Sequence, residues 1–389
     1  MAFPQLDPAR FDLARFLAED WQKRPALIRN PWTAWHNPLE PDELAGLACE
    51  DGIESRLIVR AAGGPVMENG PLPEDRFAAL DGESWTILVQ AVDQHVPDVA
   101  ALIQPFRFVP DWRIDDVMVS YATHGAGVGA HFDQYDVFLV QGLGRRRWRV
   151  GPRCGDDTPL LPHEDLRLIA DFEASGGWVL EPGDILYVPP GFAHDGAAVG
   201  DDCMTYSIGF RAPSRAELVE GWCDHVAALL PEMDRYADPD LAPQAHPAEI
   251  APAAIDRLHA MVLDALSDRA AFARWFAHHT TLPKYPDADW RPEAAPTEDA
   301  VRSALADGIP VARNPAHRFA ILREEAGTLL YADGERFACP GAAVAAADTI
   351  CASIATTLPP SAEVVTLVTA LIAQGSLSFV DEDDEADWD

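Results

Sequence analysis

The rhythm of apolar and polar positions changes twice along this chain of 389 residues. Near the start, Phe11, Leu13, Phe16, Leu17 and Trp21 recur at mixed three- and four-residue spacings, which predicts a helix with one face on a core. Pro25 ends it, and Leu27-Ile28-Arg29 reads as a short strand. Pro38 to Glu50 predicts a second helix, and residues 85–104 a third that Pro105 stops. From about 106 to 211, short β-rich runs alternate with Gly/Pro turns. Val117–Tyr121 is one run; Val137–Gln141 is another, turned by Gly142-Leu143-Gly144 into Arg145–Val150. Trp178-Val179-Leu180 leads through Glu181-Pro182-Gly183-Asp184 into Ile185–Val188, Pro189-Pro190-Gly191 turns the chain towards His194, and Met204–Phe210 closes the series. Many short strands with tight turns predict a sandwich or barrel. After Pro213 the pattern becomes helical over 214–230 and 253–278, with a Pro- and Asp-rich loop between. Residues 283–297 hold four prolines and read as a linker. The last stretch predicts a helix, strands around Phe319–Leu322 and Thr328–Tyr331, helices at 341–355 and 361–373, and a strand at 376–380, an arrangement of winged-helix type.

Parity within the strands locates candidate chemistry. Residues two apart in an extended chain share a face, so His131 and Asp133 can reach one ion while Phe132 packs away from it. His-x-Asp alone is weak, but Gly183–His194 supplies a turn, a buried strand, a rigid turn and a histidine, which is how a cupin barrel presents its distal ligand. Two histidines and a carboxylate make a facial triad with open positions for a co-substrate and O2; a structural zinc site would want four ligands. The bland reading, that His194 is only a turn histidine, has the whole segment against it. In Arg145–Val150, Arg146, Trp148 and Val150 share the apolar face, so Arg146 is a buried guanidinium in need of an anion. A bidentate ligand carboxylate and an internal Asp both answer that need. Cys203, Thr205, Ser207 and Gly209 share one face of the last strand, and Asp116, Met118 and Ser120 share a face of an earlier one. Small polar groups there suit a polar ligand, or are hydroxyls satisfied by backbone. With Arg146, Ser120 and Thr205 are our candidates for holding a co-substrate.

The formal charge of −34 argues against general nucleic-acid affinity and permits a basic partner, although acidity also serves solubility. Residues 290–389 carry 17 acids against 6 arginines and no lysine, and without the last nine residues the balance is still −4, so the last domain reads as a protein contact and not a DNA reader. Asp381 to Asp389 reads as a disordered acidic tail. Only two lysines occur, Lys23 and Lys284, which we read as a coding bias with no functional message. Six scattered cysteines without a Cys-x-x-Cys pair read as free thiols in a reducing compartment. With neither a secretory leader nor a bilayer-length apolar run in the pattern, the expected location is cytoplasmic and no membrane partner is expected.

The runs Val128–Trp148, Gly183–Gly196 and Tyr206–Pro213, with Phe16–Arg29, resemble the bacterial JmjC-type ribosomal oxygenases. The likeness is specific in the catalytic region and extends in domain order over nearly the full length. It implies an α+β fold with a double-stranded β-helix (cupin/JmjC) barrel. It implies an oxygenase domain over 1–213 with its barrel at about 106–211, a helical dimerisation region at 214–285, a winged-helix domain at 290–380, and a homodimer. It implies a dioxygenase that uses Fe(II), 2-oxoglutarate and O2 to hydroxylate an arginine β-carbon of the large-subunit ribosomal protein uL16. The family's iron ligands fall on His131, Asp133 and His194, its co-substrate arginine on Arg146, and its substrate pocket on Asp116, Met118, Tyr135 and Ser207. Related oxygenases carry lysine where Arg146 stands and modify histidine. Ala130 and Phe132 depart from the family's pattern at non-ligand positions. The rival readings are a histidine- or histone-directed JmjC enzyme, a non-catalytic cupin binding protein and an isomerase-like cupin with another metal.

Overall fold

Two sheets face each other across the middle of the molecule. The computed structural model describes residues 4–61, 64–80, 82–163 and 165–380, and the acidic run 381–389 lies outside them. The strands of this part are β1 (Ala26–Ile28), β2 (Ser55–Ala61), β3 (Gly64–Asn69), β4 (Trp85–Val89), β5 (Ile114–Ala122), β6 (Asp136–Leu143), β7 (Arg146–Arg153), β8 (Gly176–Leu180), β9 (Ile185–Val188), β10 (Phe192–Ala198) and β11 (Cys203–Phe210). The larger sheet runs β1-β9-β6-β11-β5-β4-β2-β3 and the smaller β10-β7-β8. All pairings within them are antiparallel. The barrel read at 106–211 is therefore widened by four strands from the first ninety residues.

The period of two decides what each face of β6 meets. Phe138 and Val140 point to a core with Phe16, Phe106, Tyr187, Tyr206 and Phe210, whereas Val137 and Leu139 join Trp148, Val150, Leu186 and Val188 inside the barrel. The first core is covered by the N-terminal helix α1 (Leu13–Glu19). Its N-cap, Asp12, accepts a bond from Arg15 N, and Phe16 stands edge-on to Tyr187 at 5.0 Å. Helix α2 (Pro41–Leu47) is shorter than the sequence predicts and begins at a capping box from Glu40 and Glu43, and a single turn, α3 (Asp75–Ala78), precedes β4.

The helix expected over 85–104 is a correction. Residues 85–89 form the strand β4 between β2 and β5, and only α4 (Pro97–Ala101) is α-helical, after a 3-10 turn at Val92–Gln94. A short run such as Trp85-Thr86-Ile87-Leu88-Val89 that is buried on both faces shows no helix or strand period. The β2–β3 hairpin was not anticipated either.

Downstream, α5 (Arg215–Leu229) begins at a Ser214–Glu217 capping box. The single helix expected over 253–278 is two, α6 (Pro252–Leu266) and α7 (Arg269–Thr281), because the Asp268 side chain accepts from Ala270 N and Ala271 N and starts a new helix. Trp222 of α5 meets Trp275 of α7 at 5.6 Å. The last domain holds α8 (Glu298–Ala306), β12 (Val311–Arg313), β13 (Phe319–Glu324), β14 (Gly327–Ala332), β15 (Glu335–Cys339), α9 (Ala343–Ala352), β16 (Ala355–Thr356), α10 (Ala362–Ala373) and β17 (Leu377–Phe379), in two three-stranded sheets around one core. The linker does not isolate it: α7 packs on β13 and β14, and Arg274 grips Glu324 with two bonds of 2.7 and 2.8 Å. Among the described residues no helix is long and apolar enough to cross a membrane.

Candidate metal centre and co-substrate pocket

His131 lies just before β6 and His194 within β10, and the two exchange backbone hydrogen bonds of 3.0 and 2.8 Å. The turn that delivers His194 is held by Gly191, whose φ of +80° suits glycine and whose N–H donates to the Asp133 carbonyl at 2.7 Å. These ties bring three ligand atoms together. Asp133 Oδ2 lies 3.7 Å from His131 Nε2 and 3.6 Å from His194 Nε2, and the candidate donor atoms all fall within 4.8 Å of one another. Each imidazole places Nδ1 against a backbone carbonyl, His131 on Gly129 at 2.8 Å and His194 on Phe192 at 3.0 Å. Donation from Nδ1–H fixes the tautomer and leaves Nε2 with a free lone pair facing Asp133. Burial first, then the neighbouring His131, pushes the His194 pKa down to about 4, which keeps that lone pair available. The donor set suits a metal with open positions.

The triad lines a cavity of ≈ 450 Å³ that also exposes Met118, Ser120, Tyr135, Arg146, Thr205 and Ser207. β7 alternates as its sequence predicts: Arg146, Trp148 and Val150 are buried, Arg147 and Arg149 exposed. The Arg146 guanidinium stands 5.6 Å over the Trp148 ring, its Nε reaches Cys203 Sγ at 3.4 Å, and its buried Nη2 has no partner. No Asp or Glu of the described residues pairs with it. An orphaned buried cation facing a cavity fits a ligand carboxylate. Thr205 is the cross-strand neighbour of Ser120, and its hydroxyl donates to Gln141 Oε1 at 3.3 Å. Gln141 shares the inward parity of Val137 and Leu139, so the alternation could have found it.

Asp116 also lies in the cavity wall, but it is engaged. Its Oδ2 accepts from Gln90 Nε2 at 2.6 Å, Ala91 N at 3.0 Å and Lys284 Nζ at 2.7 Å. Asp115 bonds Lys284 at 3.3 Å and Arg318 of the last domain at 2.7 Å. Tyr285 donates to Glu54 at 3.2 Å on the same rim. Sequence reasoning missed Lys284, Arg318 and Glu54; the one available signal was a rare lysine between Pro283 and Pro286.

The chain is 41% identical, over 84% of its length and 85% of the relative's, to the ribosomal protein uL16 3-hydroxylase of Escherichia coli. The chain belongs to the JmjC-type ribosomal oxygenase family. Within that family, residues 101–218 match the JmjC domain and 264–378 the ROXA-like winged helix, so the winged-helix match begins in α6, consistent with α7 packing on β13 and β14. A probable ribosomal oxygenase of Haemophilus influenzae shares 41% identity over 53% of this chain and 51% of its own. The solved structure of YcfD, a ribosomal oxygenase from Escherichia coli, in complex with cobalt and 2-oxoglutarate superposes with a TM-score of 0.85 at 37% identity, over 97% of this chain and 100% of that one. The family's α+β plan of JmjC barrel and winged helix is thereby the fold of this chain.

Proposed function

We propose that this chain is an Fe(II)- and 2-oxoglutarate-dependent protein hydroxylase that modifies a β-carbon of an arginine in ribosomal protein uL16. The carrying observation is the unpaired Arg146 Nη2 in the same cavity as the triad. A relative named for uL16 3-hydroxylation and a solved relative holding 2-oxoglutarate support the reading. His131, Asp133 and His194 would hold the metal; Arg146, with Ser120 and Thr205, would hold the distal carboxylate of 2-oxoglutarate. When bound, the metal and co-substrate supply O2 activation and oxidation of a substrate C–H bond, with 2-oxoglutarate converted to succinate and CO2.

The protein's own part is positioning and exclusion of water. Tyr135, half-exposed at the mouth, would stack on the substrate guanidinium; Asp116 and Ser207 would receive its N–H groups; Met118 would line its path. The net charge would steer a basic ribosomal protein towards this cavity. The domain plan accompanies the proposal: oxygenase 1–213, helical region 214–285 forming a homodimer, winged helix 290–380 as a protein contact without nucleic-acid binding, all in the cytoplasm.

The test is purified protein with Fe(II), 2-oxoglutarate and uL16, read as a +16 Da shift and matched succinate. Arginine modification is expected. Reaction of histidine peptides alone would transfer the protein to the histidine-directed branch. Absence of metal-dependent 2-oxoglutarate binding in an anaerobic titration would leave only a binding cupin. Arg146→Met should raise the KM for 2-oxoglutarate by roughly 10- to 100-fold while leaving metal affinity unchanged, since a hydrogen-bonded ionic contact contributes about 1.5–3 kcal/mol.

A further inference from the structure

The strap after α7, Leu282-Pro283-Lys284-Tyr285, crosses the cavity rim and sends Lys284 inward. The Lys284 side chain is 19% exposed, Asp115 13% and Asp116 4%. Lys284 Nζ therefore sits among carboxylates at the place where a basic substrate side chain would look for them. Arg318 from the winged-helix domain holds the far side of Asp115 and also donates to the Leu282 carbonyl, which fixes the strap at its start.

Charge balance decides what Lys284 can do. Within the hydrogen-bonded cluster two acids, Asp115 and Asp116, balance two cations, Lys284 and Arg318; Glu54 and Arg56 on the same rim neutralise each other at 2.8 Å, and Arg211 beside Asp115 adds a positive charge that makes a further cation less welcome. Asp93, buried beside Asp116, is held well above the usual carboxylate range by burial first and Asp116 second, and so carries only part of a negative charge at neutral pH. A guanidinium entering beside Asp116 would make the cluster a net cation in a poorly solvated wall, which is costly. Withdrawal of Lys284 into solvent restores neutrality. It also removes one of the three donors on Asp116 Oδ2, leaving Gln90 Nε2 and Ala91 N there, so the guanidinium can take the ammonium's place on the carboxylate. The ammonium is suited to leaving: it is a compact, strongly hydrated charge on a flexible stem, whereas an arginine at 284 would grip the carboxylate with its planar fork.

We propose that Lys284 is a displaceable internal cation that occupies the Asp115–Asp116 acid pair until a guanidinium-bearing substrate replaces it, and so sets the site's selectivity for basic side chains. This rests on the arginine-hydroxylase reading, but its first test does not require turnover. With only two lysines in the chain, amine-selective methylation read by mass spectrometry reports each one. Lys23, whose Nζ bonds exposed carbonyls of Leu17 and Ala18, is the internal control. Lys284 should react several-fold more slowly than Lys23. A titration with Nα-acetylarginine amide should accelerate Lys284 alone, whereas the citrulline analogue should not. Lys284 reactivity that stays constant or falls throughout the arginine titration overturns the proposal, whether or not the protein hydroxylates uL16.

The second test uses variants of the full chain. Lys284→Met should lower the substrate KM by roughly fivefold with kcat little changed, the size of effect expected on removing a partly buried ion-pair competitor. Lys284→Arg should raise KM. If Lys284 is instead a fixed latch between strap and barrel, Lys284→Arg restores wild-type behaviour and Lys284→Met raises KM, and either result rejects displacement. A wild-type protein inactive on arginine substrates counts against the hydroxylase reading alone, since the labelling result stands separately.

Discussion

Burial and the neighbouring Asp116 hold the Asp93 carboxyl at about 7, while Val117 N–H donates to its Oδ1 at 2.7 Å. The consequence for stability has a definite sign. Between the usual carboxylate range and about 7, the folded chain binds a proton at Asp93 that the unfolded chain has released, so stability falls as pH rises through that window. Asn at 93 keeps an acceptor for Val117 and removes the ionisation. Asp93→Asn should therefore gain on wild type as pH rises, the difference in Tm widening by a few degrees between about pH 5 and about pH 8. Scanning calorimetry of both proteins checks it; parallel Tm profiles would show that Asp93 ionises normally. At this scale the sequence spoke unevenly. His131, Asp133 and His194 were legible because a two-residue spacing and a rigid turn constrain where side chains point, and Arg146 because parity put a guanidinium on an apolar face. Lys284 and Arg318 were not, because their partners Asp116 and Asp115 lie 168 and 203 residues away along the chain, and no local period carries that information.

Strands β7 and β10 carry Arg146 and His194, and their pairing leaves no spare room. Gly196 is paired with Trp148, and a Cβ at 196 would lie 2.6 Å from Trp148 Cζ3. That ring supports the Arg146 guanidinium at 5.6 Å and stands 5.8 Å from the His194 imidazole. Gly196→Ala should cost about 1–3 kcal/mol of stability through overpacking. A shift of the ring that supports Arg146 should also weaken 2-oxoglutarate binding beyond what the stability loss explains. Isothermal titration at a temperature where the variant is fully folded separates the two; unchanged affinity would mean that the ring moves away from Arg146. The same element shows where periodicity succeeds and fails. β7, with one face buried and one exposed, announced its alternation. β4, buried on both faces, read as a helix, and the β2–β3 hairpin went unread, since its exposed edge mixes apolar and charged positions without a clean period.

At the scale of the whole molecule, α6 touches a core only at its end, where Ala265 and Leu266 pack against Trp222 and Trp275. None of its residues is buried, and Ile255, Leu258, Met261, Val262 and Leu263 are all exposed. Ile255, Leu258 and Val262 follow helical spacing, so an apolar stripe lies open along it, and such a stripe is stable in water when another surface covers it. A second copy is the occupant in the proposed homodimer. Leu258→Glu with Val262→Glu should convert dimer to monomer in sedimentation equilibrium while the fold, read by circular dichroism, persists; a monomeric wild-type chain would remove the proposal. Net charge adds a discriminating prediction. Two copies of a chain at −34 repel one another, so an apolar interface between them should tighten as salt screens that repulsion. Association with a basic ribosomal protein draws on the same charge with the opposite sign, and its on-rate should fall as salt rises. The two salt slopes must then oppose each other in one protein. If both fall with salt, charged contacts and not the α6 stripe hold the copies together; if both rise, the acidic surface plays no part in substrate encounter.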